Sequence, residues 1–389
     1  MNHRLWLPGD PTPDFHTRSG GNPRYTFHTI AGRYVILSFL GSAAQEESAK
    51  VVGHIESRRQ LLDDERLCFF GVTQDPQDEA LGRLRDQIPG IRYLWDFDRK
   101  VSTLFGAVGT EPAQRDTYVP FTLVLDPMLR VCAQIPLLPA ERHNKALDAV
   151  LASLPAVADH AATPLTAPVL MLPRVFEPAL CSKLIDLYHQ YGGEESGFMR
   201  EVNGKTVAVI EQGFKRRQDF EFDARPELAA LRQFIQQRLV KRLVPEIKRA
   251  FQFDVTRMER YIVARYDSAS GGFFRPHKDN TTPGTAHRRF ACTINLNADE
   301  YEGGELRFPE FGPRTYRAPT GGAVVFSCSL LHEATPVTAG VRYAFLPFFY
   351  DEAAAQLRQA NAHSLTGLVF DRAKGEDEYA ALRAAGSEG

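Results

Sequence analysis

The sequence predicts two units of different class: an α/β unit over residues 1–157 and an α+β unit over 168–352. Three observations predict this. The first part alternates short, fully apolar runs with helically periodic stretches. Residues 158–167 are small and proline-containing, with few large apolar groups, as in a linker. The last part opens with helical periodicity and continues as short strand-like runs punctuated by Gly-Gly pairs.

In the first part, Tyr34–Phe39 is an apolar run of buried-strand length. A helix is expected from there to about Asp63, with Val51, Val52, Ile55, Leu61 and Leu62 facing inward. Leu67–Thr73 is a second buried strand. Helices are expected over Gln77–Gln87 and Arg99–Phe105. Phe121–Asp126 and Arg130–Ile135 form a hairpin about Asp126-Pro127, and a helix over Ala140–Leu154 closes the unit. A hairpin ending an alternating series predicts a mixed sheet.

In the second part, Pro178 suits the first turn of a helix that carries Leu180, Leu184, Leu187 and Tyr188 inward. A further helix starts near Pro226, with Leu228, Leu231, Ile235 and Leu239 on one face. Strands follow. In Phe290–Asn297, alternation puts Phe290, Cys292, Ile294 and Leu296 on one face, and Ala291, Thr293 and Asn295 on the other. The tail, 353–389, holds a helix over Ala353–Ala362 and ends in small and charged residues expected to be mobile.

A hydrophobic content of 43% and a charged content of 24% are those of a water-soluble globular chain. A net charge of −2 supplies no field for a polyanion, so nucleic acid is not expected as a partner. Lys215-Arg216-Arg217 is expected to be a solvated turn. No run approaches a membrane span or a signal peptide. The five Cys (68, 132, 181, 292, 328) have no paired short spacing. Reduced thiols and a cytoplasmic location are therefore expected.

The chemistry concentrates between residues 266 and 343. His277 and Asp279 stand at i and i+2, which a strand projects to one face. His332 on a facing strand would complete two imidazoles and a carboxylate. That set is the facial triad of non-haem Fe(II) sites, with positions left for a bidentate 2-oxo acid and O₂. Arg342 follows His332 by ten residues and can grip the acid's second carboxylate in a planar fork. Ala344 and Leu346 share its strand face, so it is expected to point inward. Arg275, Lys278, His287, Arg288 and Arg289 are expected to be mostly solvated.

Around these residues stand Tyr266-Asp-Ser-Ala-Ser-Gly-Gly-Phe-Phe-Arg-Pro-His277, Gly303-Gly-Glu-Leu-Arg-Phe-Pro309, Ala318-Pro-Thr-Gly-Gly-Ala323 and His332-Glu-Ala-Thr-Pro-Val-Thr-Ala-Gly-Val-Arg-Tyr343. With them, Pro168–Asp351 resembles the prolyl 4-hydroxylase branch of the 2-oxoglutarate/Fe(II)-dependent dioxygenases. The resemblance implies a double-stranded β-helix, a jelly-roll relative, with supporting helices. It implies Fe(II) on His277, Asp279 and His332, 2-oxoglutarate and O₂ as co-substrates, and ascorbate as reductant. Tyr266 matches a tyrosine that faces the co-substrate in relatives. Asn295 stands where relatives commonly have a tyrosine that binds its distal carboxylate, and Thr293 is placed to assist. Glu305 sits in a Gly-Gly-Glu turn that does not bind iron in the family. The expected reaction hydroxylates a C–H bond of a protein residue, prolyl among the choices, or of a small metabolite, releasing succinate and CO₂; the primary substrate is not legible.

The first part resembles the thioredoxin-like fold, peroxiredoxin branch. The marks are Leu7-Pro-Gly-Asp-Pro-Thr-Pro-Asp-Phe15, Gly32-Arg-Tyr-Val-Ile-Leu-Ser-Phe39, Leu94-Trp-Asp-Phe-Asp98 and Val119-Pro-Phe-Thr-Leu-Val-Leu-Asp126. Val119-Pro120 stands where that fold often has a cis-proline. The family's reactive Cys belongs at the helix start after the first buried strand, where the helix N-terminus favours a thiolate. Here the segment reads Gly41-Ser-Ala-Ala-Gln-Glu-Glu-Ser48, with no Cys. The unit is therefore expected to be redox-inactive, with a role in interaction, homodimerisation or substrate presentation. The alternative for the whole chain is a redoxin-type scaffold or thiol antioxidant protein with a secondary metal site.

Overall fold

The computed structural model describes residues 5–109 and 117–378. The chain divides into two compact units, Met1–Thr166 with Pro309–Pro313 and Ala167–Phe308 with Arg314–Gly389.

The first unit contains β1 (His16–Ser19), β2 (Tyr25–Thr26), β3 (Tyr34–Gly41), α1 (Glu46–Ser57), β4 (Leu67–Thr73), α2 (Pro76–Ala80), β5 (Ile91–Trp95), α3 (Lys100–Phe105), β6 (Phe121–Leu125), β7 (Val131–Pro136) and α4 (Ala140–Ser153). The sheet runs β2-β1-β5-β4-β3-β6-β7. β3, β4 and β5 are mutually parallel, and β6 and β7 are antiparallel, so the sheet is mixed as expected. β3 is buried along its whole length, which is why its residues, apart from Ser38 bonded to Thr122, are apolar without alternation. Val51, Val52 and Ile55 of α1 and Leu147 of α4 pack into one core with Ile36, Phe69 and Val124. This is a thioredoxin-like α/β unit.

The second unit contains β8 (Leu170–Leu172), α5 (Pro178–Tyr191), β9 (Glu194–Glu195), β10 (Phe198–Val202), β11 (Lys205–Ile210), β12 (Lys215–Arg216), β13 (Gln218–Glu221), α6 (Ala229–Arg242), α7 (Val244–Phe251), β14 (Arg257–Glu259), β15 (Ile262–Asp267), β16 (Phe273–His277), β17 (Phe290–Asn295), β18 (Tyr301–Gly303), β19 (Leu306–Arg307), β20 (Thr315–Tyr316), β21 (Ala323–Ser327), β22 (His332–Ala334), β23 (Val337–Phe345), β24 (Phe348–Tyr350), α8 (Glu352–Ala360) and β25 (Leu365–Asp371). A large sheet has the central path β14-β24-β17-β23-β15-β13-β9, a smaller one runs β12-β16-β22-β19-β20, and β10-β11-β25 form a third. Leu180 and Leu184 of α5 and Ile235 and Leu239 of α6 pack on Cys292, Ile294 and Phe345 of the large sheet. Burying Leu184 and Ile235 completely contributes roughly 1.5–3 kcal/mol each. The other face of the large sheet is thereby left for the site.

The structure departs from the sequence reading in definite places. The helix expected over Gln77–Gln87 stops at Ala80. Asp75 caps it by accepting from the Gln77 N–H at 2.9 Å, and Gly82, at φ +62°, ends it. Ile91–Trp95 forms β5, a strand not expected. The cis peptide bonds are Ile88-Pro89 and Leu138-Pro139, not Val119-Pro120. The tail is more than a helix: β25 pairs in parallel with β11. The expected mobility of the last residues concerns 379–389, outside the described residues. Among the described residues, no helix is long and apolar enough to cross a membrane.

His287 and Arg288 are buried, not solvated. Both donate to the Glu259 carboxylate, from Nε2 at 2.9 Å and Nε at 2.7 Å. Burial alone would raise the Glu259 pKa, but these partners hold it down at about 2. A depressed carboxylate stabilises the fold above its unfolded pKa of about 4.3, and that contribution is lost as the pH falls toward about 2. Glu259→Gln should therefore cost about 3 kcal/mol at pH 7, with the difference from wild type shrinking below pH 4. Thermal unfolding at a series of pH values checks this, and a pH-independent difference would contradict it.

Candidate metal centre

Backbone pairing assembles the ligands. β16 and β22 are antiparallel neighbours, and His277 and His332 are direct Cα partners across them. His332 thus comes from the adjacent strand of the same sheet, where a facing strand was expected. Asp279 lies beyond the end of β16, so strand alternation does not place it. Its N–H donates to the Cys328 carbonyl at 3.0 Å, and that bond holds the turn against the segment leading to His332. The three residues' ligand atoms all lie within 4.8 Å of one another. Asp279 Oδ1 is 3.6 Å from His277 Nε2, and its Oδ2 is 3.3 Å from His332 Nε2.

The imidazoles are set up as ligands. His277 Nδ1 donates to the Arg275 carbonyl at 2.7 Å, and His332 Nδ1 to the Leu330 carbonyl at 3.0 Å. With the proton on Nδ1, the Nε2 lone pair is free for a cation. Phe274 stacks on His277 with ring centroids 3.5 Å apart, and Phe326 meets His332 edge-on at 4.5 Å. Burial, with the neighbouring His332, lowers the His277 pKa to about 4, so the ring is neutral at pH 7. Burial would raise the Asp279 pKa, but His332 and His277 outweigh it and keep the carboxylate ionised. Two imidazoles that present Nε2 and one ionised carboxylate fit a divalent ion such as Fe(II).

Arg342 on β23 points inward, as its strand face predicts. It is 2% exposed, and its Nε and Nη1 donors have no partner among the described residues. A buried guanidinium with unmet donors is costly, and an anion would satisfy it. Tyr266 is its Cα partner on β15, with the guanidinium 4.9 Å from the ring centroid. Tyr266 packs in one cluster with Phe274, which covers His277, and with Ala334 on the ligand-bearing strand β22. Thr293 and Asn295 are buried on the opposite face of β17 from its core residues. Asn295 donates from Nδ2 to the Ala318 carbonyl at 2.7 Å and leaves Oδ1 unpartnered among the described residues. The free atom is an acceptor, which suits a carboxylate poorly. Glu305 pairs with Arg317 and stands outside the triad.

Several residues of the site escaped sequence reasoning. Asn297 accepts from the Tyr343 N–H at 2.9 Å and donates to the Val341 carbonyl at 2.8 Å, pinning the backbone on both sides of Arg342. Gly304, at φ +70°, makes room for the Arg342 stem: a Cβ there would come within 3.1 Å of its Cδ. Lys215 and Arg217, expected in a solvated turn, are buried. Lys215 donates to Ser196 Oγ and the Gly197 carbonyl, and Arg217 pairs with Asp219 at 2.6 Å. Only Arg216, which points outward, fits the solvated reading.

Asp279→Ala should weaken Mn(II) or Fe(II) binding by more than about a hundredfold, because one of three protein bonds is lost. Asp279→Glu should fail too, since the added methylene displaces the oxygen. Anaerobic metal titration of the purified variants checks both. Wild-type affinity in Asp279→Ala would remove the triad from consideration.

Residues 261–350 match a family model described as the 2OG-Fe(II) oxygenase superfamily. A PKHD-type hydroxylase of Cupriavidus metallidurans is 33% identical over 137 residues, covering 32% of this chain and 59% of that protein. The chain spans about half the length of the curated relatives it matches. Among solved structures, a prolyl hydroxylase from Trichoplax adhaerens is similar over 49% of this chain and 87% of its own, at 17% identity and a TM-score of 0.39. A peroxidoxin from Mycobacterium tuberculosis covers 38% of this chain and 96% of its own, at 18% identity and a TM-score of 0.32. The residues matched by the family model include His277, Asp279, His332 and Arg342, so the C-terminal unit is similar to the 2OG-Fe(II) oxygenase superfamily over the segment that holds the triad.

Proposed function

We propose that the chain is a 2-oxoglutarate- and Fe(II)-dependent dioxygenase that hydroxylates a C–H bond. The observation that carries this is the pairing of the His277–Asp279–His332 triad with the buried, unpartnered Arg342 in one unit. His277, Asp279 and His332 would hold the iron. Arg342 would bind the far carboxylate of 2-oxoglutarate, with Tyr266 beside it and Asn297 keeping it in place. Bound iron and 2-oxoglutarate would supply O₂ activation with release of succinate and CO₂. The chain's own part is to orient the co-substrate, exclude water with Phe274 and Phe326, and hold His277 neutral. Thr293 is a further co-substrate contact in this reading, while Asn295 contributes chiefly by tying β17 to the Ala318 carbonyl. Ascorbate is the proposed reductant. The primary substrate is a protein residue or a small metabolite.

For the first unit the reading is a redox-inactive scaffold that dimerises or presents substrate. Burial pushes the Cys68 thiol up to about 12 and the Cys132 thiol up to about 11, which leaves neither a thiolate at pH 7. The position after β3 is occupied instead by Ser42 and Ala43. They bond to Asp75 at 2.6 Å and Asp78 at 2.9 Å. Free cysteines and an Fe(II) site together suit a reducing compartment such as the cytoplasm.

Purified protein given Fe(II), 2-oxoglutarate, ascorbate and O₂ should form succinate; no succinate, with metal bound, would sink the reading. Arg342→Ala should raise KM for 2-oxoglutarate more than about a hundredfold, since breaking a buried charged pair costs roughly 3–5 kcal/mol, and Arg342→Lys should recover only part. Metal affinity should stay near wild type in both.

Replacing all five cysteines by Ala should leave succinate formation nearly unchanged. Peroxide consumption that disappears with Cys68 or Cys132 would instead establish a thiol activity in the first unit.

A further inference from the structure

Two buried guanidinium groups share Tyr266. Arg342 lies 4.9 Å from its ring centroid and Arg217 lies 5.8 Å from it. Arg217 also donates from Nη1 to the Tyr266 hydroxyl at 3.3 Å. The Arg217 side chain is itself clamped. Its Nη2 donates to Asp219 Oδ2 at 2.6 Å and to Ser196 Oγ at 3.2 Å. Ser196 donates from Oγ to Asp219 at 2.5 Å, and its N–H donates to the Arg217 carbonyl at 2.9 Å.

The chemistry of these groups is directional. A guanidinium carries only donors, so the Tyr266 oxygen must be the acceptor. The hydroxyl hydrogen then has to point elsewhere, and no acceptor for it stands within hydrogen-bond reach among the described residues. The charges differ as well. Arg217 pairs with Asp219, which Arg260 also approaches at 3.6 Å, and keeps one unmet donor, Nε; Arg342 has the ring beside it and two unmet donors, Nε and Nη1. The hydroxyl hydrogen of Tyr266 and the free donors of Arg342, on paired positions of β15 and β23, are left for one anionic ligand.

We infer that Arg217 is a positioning residue for the co-substrate: by donating to the Tyr266 oxygen, it commits that hydroxyl to donate to a carboxylate of the 2-oxo acid. The inference rests on the oxygenase reading. It gives Arg217, Asp219 and Ser196 a purpose beyond holding β13 to β9, and it accounts for a charged pair kept dry next to a tyrosine.

The test is a double-mutant cycle on 2-oxoglutarate affinity, measured calorimetrically on the full chain loaded with Mn(II), which needs no turnover. Tyr266→Phe and Arg217→Met should each weaken binding about tenfold, the loss expected for one hydrogen bond of this kind. The double variant should be no weaker than Tyr266→Phe alone, and Arg217→Lys should recover part of the affinity. Mn(II) affinity should be unchanged throughout. Should Arg217→Met fold poorly because Asp219 is left unpaired, Arg217→Met with Asp219→Asn carries the same comparison. Additive losses, or normal affinity in the Arg217 variants beside weakened Tyr266→Phe, would overturn the relay and leave the oxygenase reading standing. A wild-type protein that binds Mn(II) but no 2-oxoglutarate would overturn both.

Discussion

The antiparallel pairing of β16 with β22 is the constraint on which the site depends. It makes His277 and His332 Cα partners, so the two imidazoles meet through backbone hydrogen bonding rather than through packing alone. The rest of the coordination geometry follows from main-chain groups. Carbonyls of Arg275 and Leu330 orient the rings, and the Cys328 carbonyl anchors the turn that carries Asp279. Peptide carbonyls have no protonation state to change and no rotamer to lose. A site held this way is preorganised before any cation arrives.

Much of this was legible in the sequence, and the reasons are physical. Fully buried strands such as β3 and β4 are apolar but for Ser38 and Thr73, and α4 shows clear helical spacing, so their ends fall within a residue or two of expectation. The alternation of β17 sorted its core face from its pocket face, and that of β23 pointed Arg342 inward. The three candidate ligands could be picked out because few residue types bind a transition metal, and the fold brings their ligand atoms within 4.8 Å of one another. How Asp279 reaches its position was not, since it depends on a turn and a bond to Cys328.

Polar clusters formed between distant segments were the least legible part. Lys215 and Arg217 look solvated in a local window because their partners Ser196 and Gly197 arrive from the loop between β9 and β10. His287 and Arg288 were misread for the same reason, since Glu259 precedes them on a separate strand. Asn297 gives no local signal of its grip on Val341 and Tyr343. A charge run betrays nothing about burial unless its counter-charges are identified, and pairwise proximity is what a single sequence lacks.

A line of aromatic rings leads away from the His277–Asp279–His332 cluster. Phe274 stacks on His277, Phe214 meets Phe274 with centroids 5.8 Å apart, and Phe198 meets Phe214 at 4.5 Å. Phe198 belongs to the β10–β11 hairpin, whose outer side is completed by β25 from the tail. The C-terminal segment is therefore a splint for the candidate metal centre. Chain removed after α8 would turn β11 into a bare sheet edge and take away the backing of the ring that steadies His277. For anyone trimming or tagging this chain, the tail counts as part of the support of the candidate metal centre.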